Sequence, residues 1–294
     1  MVRGIFISLL YIIPIFTFAQ PDSLWNQIHV IAENAQGKVC VSARIIEDSS
    51  VVQYYGDELC PMQSTFKFPI ALAILNRIDK KEFTLNYKIH ITPKDLIGYD
   101  NSLARDSFQN GNINVTFNNL IRYMTIYSDN ISCDALLHHL GNPKVVSKFI
   151  RKFGIEDFDI KYNEKKMGKQ WRNQYKNISS ANAMTELLVQ FYLQKILSPA
   201  NTEYLYQVMT ETQTGKDRIV KLLPSGTVVA HKTGTSNTQN GIRAAVNDCG
   251  IITLPNGKHL ALTIFIKDSK AAIATAEATI AQIAKLIFDD FSRR

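Results

Sequence analysis

Apolar positions along this chain follow two rhythms. Residues from Lys38 to Ile46 and from Ser50 to Tyr55 are rich in Val, Ile and Tyr, with Glu47-Asp48 between them. Short runs of these residue types broken by a polar turn predict a β-hairpin. Thr227 to Lys232, Ala244 to Leu254 and Leu260 to Lys267 read the same way, and Pro255-Asn256-Gly257 supplies a turn between the last two. Between these groups the spacing changes. Apolar residues recur at helical intervals in Phe68 to Ile78, Phe117 to Tyr127, Ser132 to Leu140, Pro143 to Phe153 and Asn182 to Leu197. Two more helices, from Pro21 to Ala35 and from Lys270 to Phe288, bracket the strands.

Strands from both ends of the chain around a helical block predict an α+β fold. An antiparallel five-stranded sheet flanked by the terminal helices would stand beside an all-helical lobe, with the active site in the cleft between them. The predicted division gives residues 20–58 and 208–294 to the sheet domain and 59–207 to the helical domain. A chain of 294 residues, 46% of them hydrophobic, is long enough for both. The stretch from Lys161 to Ser180 is polar, lacks helical periodicity and is long for a connection, which predicts a structured functional loop.

The amino-terminal segment carries one charge, Arg3, then an apolar run from Ile5 to Ile13 and on to Phe18, with Thr17 and Ala19 before Gln20. That pattern predicts a signal peptide spanning residues 1–19. The run is shorter than the roughly 20 residues that cross a bilayer, and the expected destination is the periplasm or the medium, with no stable membrane association after cleavage. The formal charge is +7. Lys and Arg are scattered rather than striped, which argues against a nucleic-acid partner. Cys40, Cys60, Cys133 and Cys249 lie far apart, and the His138-His139 neighbours diverge along a helix, so no metal site is expected. The cysteines read as structural, with their pairing open.

Three short motifs carry chemistry. In Ser64-Thr65-Phe66-Lys67 a hydroxyl and an amine lie three residues apart at a helix start, on one face. The amine can accept the serine proton, and the helix amino terminus offers N–H groups to a developing oxyanion. Such a tetrapeptide also arises by chance. Ser128-Asp129-Asn130, between two helical runs, offers a second hydroxyl, a carboxylate and an amide, and equally resembles a helix cap. Lys232-Thr233-Gly234-Thr235-Ser236 puts a cation and hydroxyls on a late strand, where Gly234 admits close approach to the backbone.

In that order, Ser-x-x-Lys, Ser-Asp-Asn and Lys-Thr-Gly resemble the three signatures of serine penicillin-recognising enzymes. Glu164, in the polar loop, extends the likeness to class A β-lactamases. Gly168, where many members have Asn, Asp134, another such Asn position, Gln63 and the run Ala245-Val246-Asn247-Asp248 are similar to the PER-, VEB- and CfxA-type branch. The resemblance implies a monomeric enzyme without metal or organic cofactor that hydrolyses a small-molecule β-lactam, with a preference for cephalosporins. It implies Ser64 as nucleophile, Lys67 or Glu164 as base, Ser128 as proton donor to the leaving nitrogen, and Glu164 as activator of the deacylating water. Asn130 would hold the acyl side chain. Lys232, Thr233, Gly234, Thr235, Ser236 and Arg218 would bind the substrate carboxylate and complete the oxyanion hole. With Gly168 the water lacks one side chain to hold it, and with Asp134 the Glu164 loop must be tethered without an amide donor. A penicillin-binding DD-peptidase, or a β-lactam sensor that stays acylated, shares the three motifs. Glu164 argues against the first, and the lack of a long apolar span against the second.

Overall fold

The computed structural model describes residues 23–99, 102 and 111–294. The segment read as a signal peptide lies outside them. No helix among the described residues is long and apolar enough to cross a membrane.

The main sheet is antiparallel and draws on both ends of the chain. Strands β1 (Lys38–Ile45), β2 (Val51–Tyr54), β8 (Val229–Thr235), β10 (Ile242–Thr253) and β11 (His259–Ser269) run in the order β2-β1-β11-β10-β8, and the short β9 (Thr238–Gln239) adds to β10. These five long strands are the five expected from the apolar runs. Alternation along β1 shows how the sheet divides two cores. Val39, Val41, Ala43 and Ile45 face a cluster shared with α1 (Leu24–Ala32) and α9 (Ile273–Ser292), while Cys40 joins the cluster on the helical side. Strand β10 is buried from Ala244 to Ile252 because both its faces are covered, hence apolar residues on both sides of the buried polar pair Asn247-Asp248.

The helical side is built around α2 (Lys67–Asp79), which is buried from Lys67 through Leu75. A helix apolar on every side must be surrounded. Helices α3 (Phe117–Ile126), α4 (Asn130–Leu140) and α5 (Pro143–Arg151) pack on it, and α7 (Ala181–Tyr192) packs against β1 and β11. The structure departs from the sequence reading at several short elements. Helix α7 stops at Tyr192, and Ser198 caps a separate α8 (Pro199–Thr210) by accepting the Asn201 N–H. Strand β4 (Lys88–Ile91) pairs with β5 (Ile113–Thr116), and the two-residue strands β3 (Cys60–Pro61), β7 (Ile178–Ser179) and β6 (Phe158–Asp159), in the order β3-β7-β6, are too brief to leave a periodic pattern.

The polar stretch from 161 to 180 is folded, with α6 (Glu164–Gly168) and a tight turn at Trp171–Tyr175. Asn177, fully buried, closes it: its Oδ1 accepts the N–H groups of Lys161 and Tyr162, and its Nδ2 donates to the Tyr162 carbonyl at 2.8 Å. One side chain thus satisfies three backbone groups that a loop would otherwise leave unpaired.

Candidate active site

Strand β3 leads directly into the turn Gln63–Phe66, so the stretch that delivers Ser64 is anchored from several sides. Cys60 pairs with Ser179, and the Asn247 amide of β10 donates to the carbonyls of Pro61 and Met62 at 2.8 and 3.0 Å. Gln63 and Ser128 hold positive φ angles of 48° and 61°, a conformation that bulky residues adopt only when their surroundings impose it.

Lys67 is fully buried, and its Nζ lies 3.0 Å from Ser64 Oγ, 2.6 Å from the Ser128 carbonyl, 2.7 Å from Asn130 Oδ1 and 2.8 Å from Glu164 Oε1. A lysine amine with at most three N–H bonds to give cannot serve four acceptors at once, so its donation is shared among them. Glu164 Oε1 is 3.5 Å from Ser64 Oγ. Lys232 is also buried, 3.0 Å from Ser128 Oγ and 3.0 Å from the Thr233 carbonyl. Burial, reinforced by the neighbouring Lys67 charge, pushes its ammonium down to about 7. The Ser128 hydroxyl therefore stands between two buried amines.

Gly234 is where the two halves of the chain touch. A Cβ there would sit 2.5 Å from the Met62 carbonyl oxygen and 3.0 Å from the Ser64 nitrogen. No other residue permits that approach, which sets β8 beside the Ser64 N–H. Arg218, read as either a carboxylate support or a surface residue, is buried. Its guanidinium donates to the carbonyls of Gly234 and Asn247 and to Thr235 Oγ1, and it pairs with Glu277 at 3.1 Å. Thr214 Oγ1 lies 2.6 Å from Thr233 Oγ1. The Ser236 hydroxyl accepts the Ala245 N–H at 3.0 Å and donates to the Asn237 carbonyl at 2.9 Å, so it is turned onto β10 and spent there.

Asp134 answers how the loop is tethered without an amide. Its two carboxylate oxygens accept the N–H groups of Glu164 and Lys165 at 2.8 and 3.0 Å, at the start of α6, and the Tyr99 hydroxyl donates to it at 2.9 Å. Burial and the Glu164 charge nevertheless raise its carboxyl to about 6. Around Gly168 nothing lies within 4 Å of where a Cβ would stand.

These groups share a cavity of about 430 Å³ walled by Ser64, Ser128, Asn130, Glu164, Gly168, Arg218, Thr233, Gly234 and Thr235, with Lys67 and Lys232 behind the wall. Tyr99, Tyr127 and Thr214 also line it. Tyr127 directly precedes the Ser128-Asp129-Asn130 motif, whereas the neighbourhoods of Tyr99 and Thr214 carry no motif, and neither does that of Glu277, whose partner is 59 positions away. No group of three or more His, Cys, Asp or Glu suited to a metal occurs among the described residues.

A comparison with known proteins agrees with the geometry. The chain is 38% identical over 287 residues to β-lactamase VEB-1 of Pseudomonas aeruginosa, covering 97% of this chain and 95% of that one. To the extended-spectrum β-lactamase PER-1 of the same organism it is 34% identical over 272 residues, 92% of this chain and 88% of that one. The crystal structure of a class A β-lactamase from Bacteroides cellulosilyticus superposes with a TM-score of 0.88 at 30% identity, covering 92% of this chain and 98% of that one. Since the profile described as the β-lactamase enzyme family also matches residues 23–291, nearly everything the structure describes, this chain belongs to that family and, within it, to class A.

Proposed function

We propose that this β-lactamase works through an acyl-enzyme on Ser64. The observation that carries the proposal is the placement of Lys67 Nζ within 3.0 Å of both Ser64 Oγ and Glu164 Oε1 in a buried pocket. Ser64, its proton taken by Lys67 or by Glu164 through a water, attacks the lactam carbonyl carbon. The N–H groups of Ser64 and Thr235, which the Gly234 approach draws together, receive the oxyanion. As the ring C–N bond breaks, Ser128 gives its proton to the nitrogen and is resupplied from the lysines on either side. Asn130 spends Oδ1 on Lys67, which leaves its NH₂ for the acyl side chain.

The substrate carboxylate enters beside Thr233, Gly234 and Thr235, drawn by the Lys232 charge, with Arg218 orienting the Thr235 hydroxyl. Ser236 contributes there only by holding β8 to β10. Glu164 then activates water against the ester. Cephalosporins are the preferred substrates on the strength of the PER-, VEB- and CfxA-type resemblance at Gln63, Asp134, Gly168 and Ala245–Asp248, and the enzyme acts as a monomer after export to the periplasm or the medium, its apolar leader removed.

Mass spectrometry with excess cephalosporin, following protein and product together, tests the mechanism in the wild type and in Glu164→Ala. Rapid product release by the wild type, with a lasting Ser64 adduct only in the variant, is expected. A stable adduct on both proteins would make Glu164 idle and the chain a penicillin-binding protein in behaviour. No adduct on either would remove Ser64 from its role.

A further inference from the structure

Four thiols are buried in this protein, and two of them meet. Cys60 Sγ lies 3.3 Å from Cys40 Sγ, and both residues are fully inaccessible. They come from different elements, β1 of the main sheet and β3 of the short sheet. The other two are placed apart from them and from each other: Cys133 lies within α4, and Cys249, on β10, has its sulfur beside the Lys232 carbonyl. A disulfide needs its sulfurs about 2 Å apart, so this pair is about 1 Å short of one, a gap that small side-chain rotations close.

We infer that Cys40 and Cys60 form a disulfide in the exported protein, pinning the strand that enters the nucleophile turn to the main sheet, while Cys133 and Cys249 remain thiols. The two thiols lose two protons and two electrons. A disulfide exchange partner, protein or small molecule, accepts them and becomes two thiols. Because both sulfurs are sealed in the folded protein, exchange occurs while the chain is still folding.

The position gives the link a purpose. Cys60 is followed by the Pro61 and Met62 carbonyls held by Asn247, by Gln63 in its constrained conformation and then by Ser64. A covalent tie to β1 adds an anchor besides that of Asn247. It also closes a loop containing the whole β1–β2 turn, which reduces the freedom of the unfolded chain and should raise Tm by roughly 5–10 °C. Pairing in the cell rests on the export reading, whereas the affinity of the two cysteines for each other does not.

The test is therefore made in vitro. The full chain, denatured and reduced, is refolded in a buffer of reduced and oxidised glutathione, then denatured again, alkylated and mapped by protease digestion and mass spectrometry. Two blocked thiols, one linked peptide pair joining Cys40 to Cys60, and a Tm above that of the same chain refolded in reductant are expected. Four alkylated thiols, or a link through Cys133 or Cys249, would overturn the pairing, and equal Tm values for linked and reduced protein would overturn its anchoring role. The variant carrying both Cys40→Ser and Cys60→Ser should show no redox dependence of Tm. Should it fail to fold, the comparison of the two wild-type forms decides the matter.

Discussion

The two sides of the cavity are held in place by different means. On the Ser64 side, Ser64 sits in the turn that opens a buried helix, Lys67 on the first turn of that helix and Lys232 on β8 at the end of the sheet, fixed by backbone pairing and by the close passage of Gly234. On the opposite side, Glu164 rides a five-residue helix in a polar loop whose shape depends heavily on two side chains, Asn177 at its base and Asp134 under α6. The first side resists perturbation because many contacts would have to fail together. The second concentrates its stability in a few polar contacts, so single substitutions there should change deacylation with little effect on acylation.

Asn177→Ala should give the largest effect. It strands two N–H groups and a carbonyl in the interior, each costing about 1 kcal/mol or more, about 3 kcal/mol together. Thermal unfolding should show Tm lower by roughly 5–10 °C, and rapid-quench kinetics should show a deacylation rate reduced far more than the acylation rate. Equal losses in both steps would mean that the loop and the Ser64 side are one unit.

On the rigid side the sensitive variable is charge. Lys232 must be protonated to attract a carboxylate, and its ammonium titrates at about 7 in the free enzyme. The cation is present below that pH and is lost as pH rises through it. The pH profile of kcat/KM, which reports the free enzyme, should fall about tenfold per unit above pH 7 to 8, and Lys232→Arg should flatten that limb. A wild-type profile level to pH 9 would show that the Lys232 charge either persists above that pH or plays no part in substrate capture.

The loop side should answer to acid. Asp134 titrates at about 6 and accepts two N–H groups only while ionised. As pH falls through 6 one oxygen gains a proton and the tether weakens, so kcat should drop severalfold between pH 7 and 5. Asp134→Asn keeps a single acceptor at every pH. It should show the lowered kcat throughout and no step near pH 6, measurable under saturating substrate. The smallest change is expected from Gly168→Asn, because the space beside Gly168 is open. An amide there should alter the deacylation rate about two- to fivefold while Tm stays within 2 °C.

The same contrast explains what could be read from sequence. Ser64-x-x-Lys67, Ser128-Asp129-Asn130 and Lys232-Thr233-Gly234 are local strings, because a helix start, a turn and a strand each present neighbouring residues to one place. The five long strands were legible because burial on one or both faces leaves alternation or an apolar run. Asn177 does its work across 15 positions, through backbone groups that any residue supplies, so nothing in the string marks it, whereas Asp134 stood out by the family resemblance and only its backbone partners, 30 positions away, had to be found in the structure. Arg218 and Glu277 meet for the same reason only in three dimensions. Helix α8 was missed because α7 ends at Tyr192 without a breaker until Pro199.

At Gly234 two stretches of main chain distant in sequence are pressed together with no side chain between them. Side chains are the compliant parts of a protein, free to swap rotamers and absorb a shift, and here none intervenes. The separation between β8 and the Ser64 N–H is consequently set by bond lengths and van der Waals radii. Like a machined stop, it should keep its width as temperature, solvent and distant mutations move everything around it.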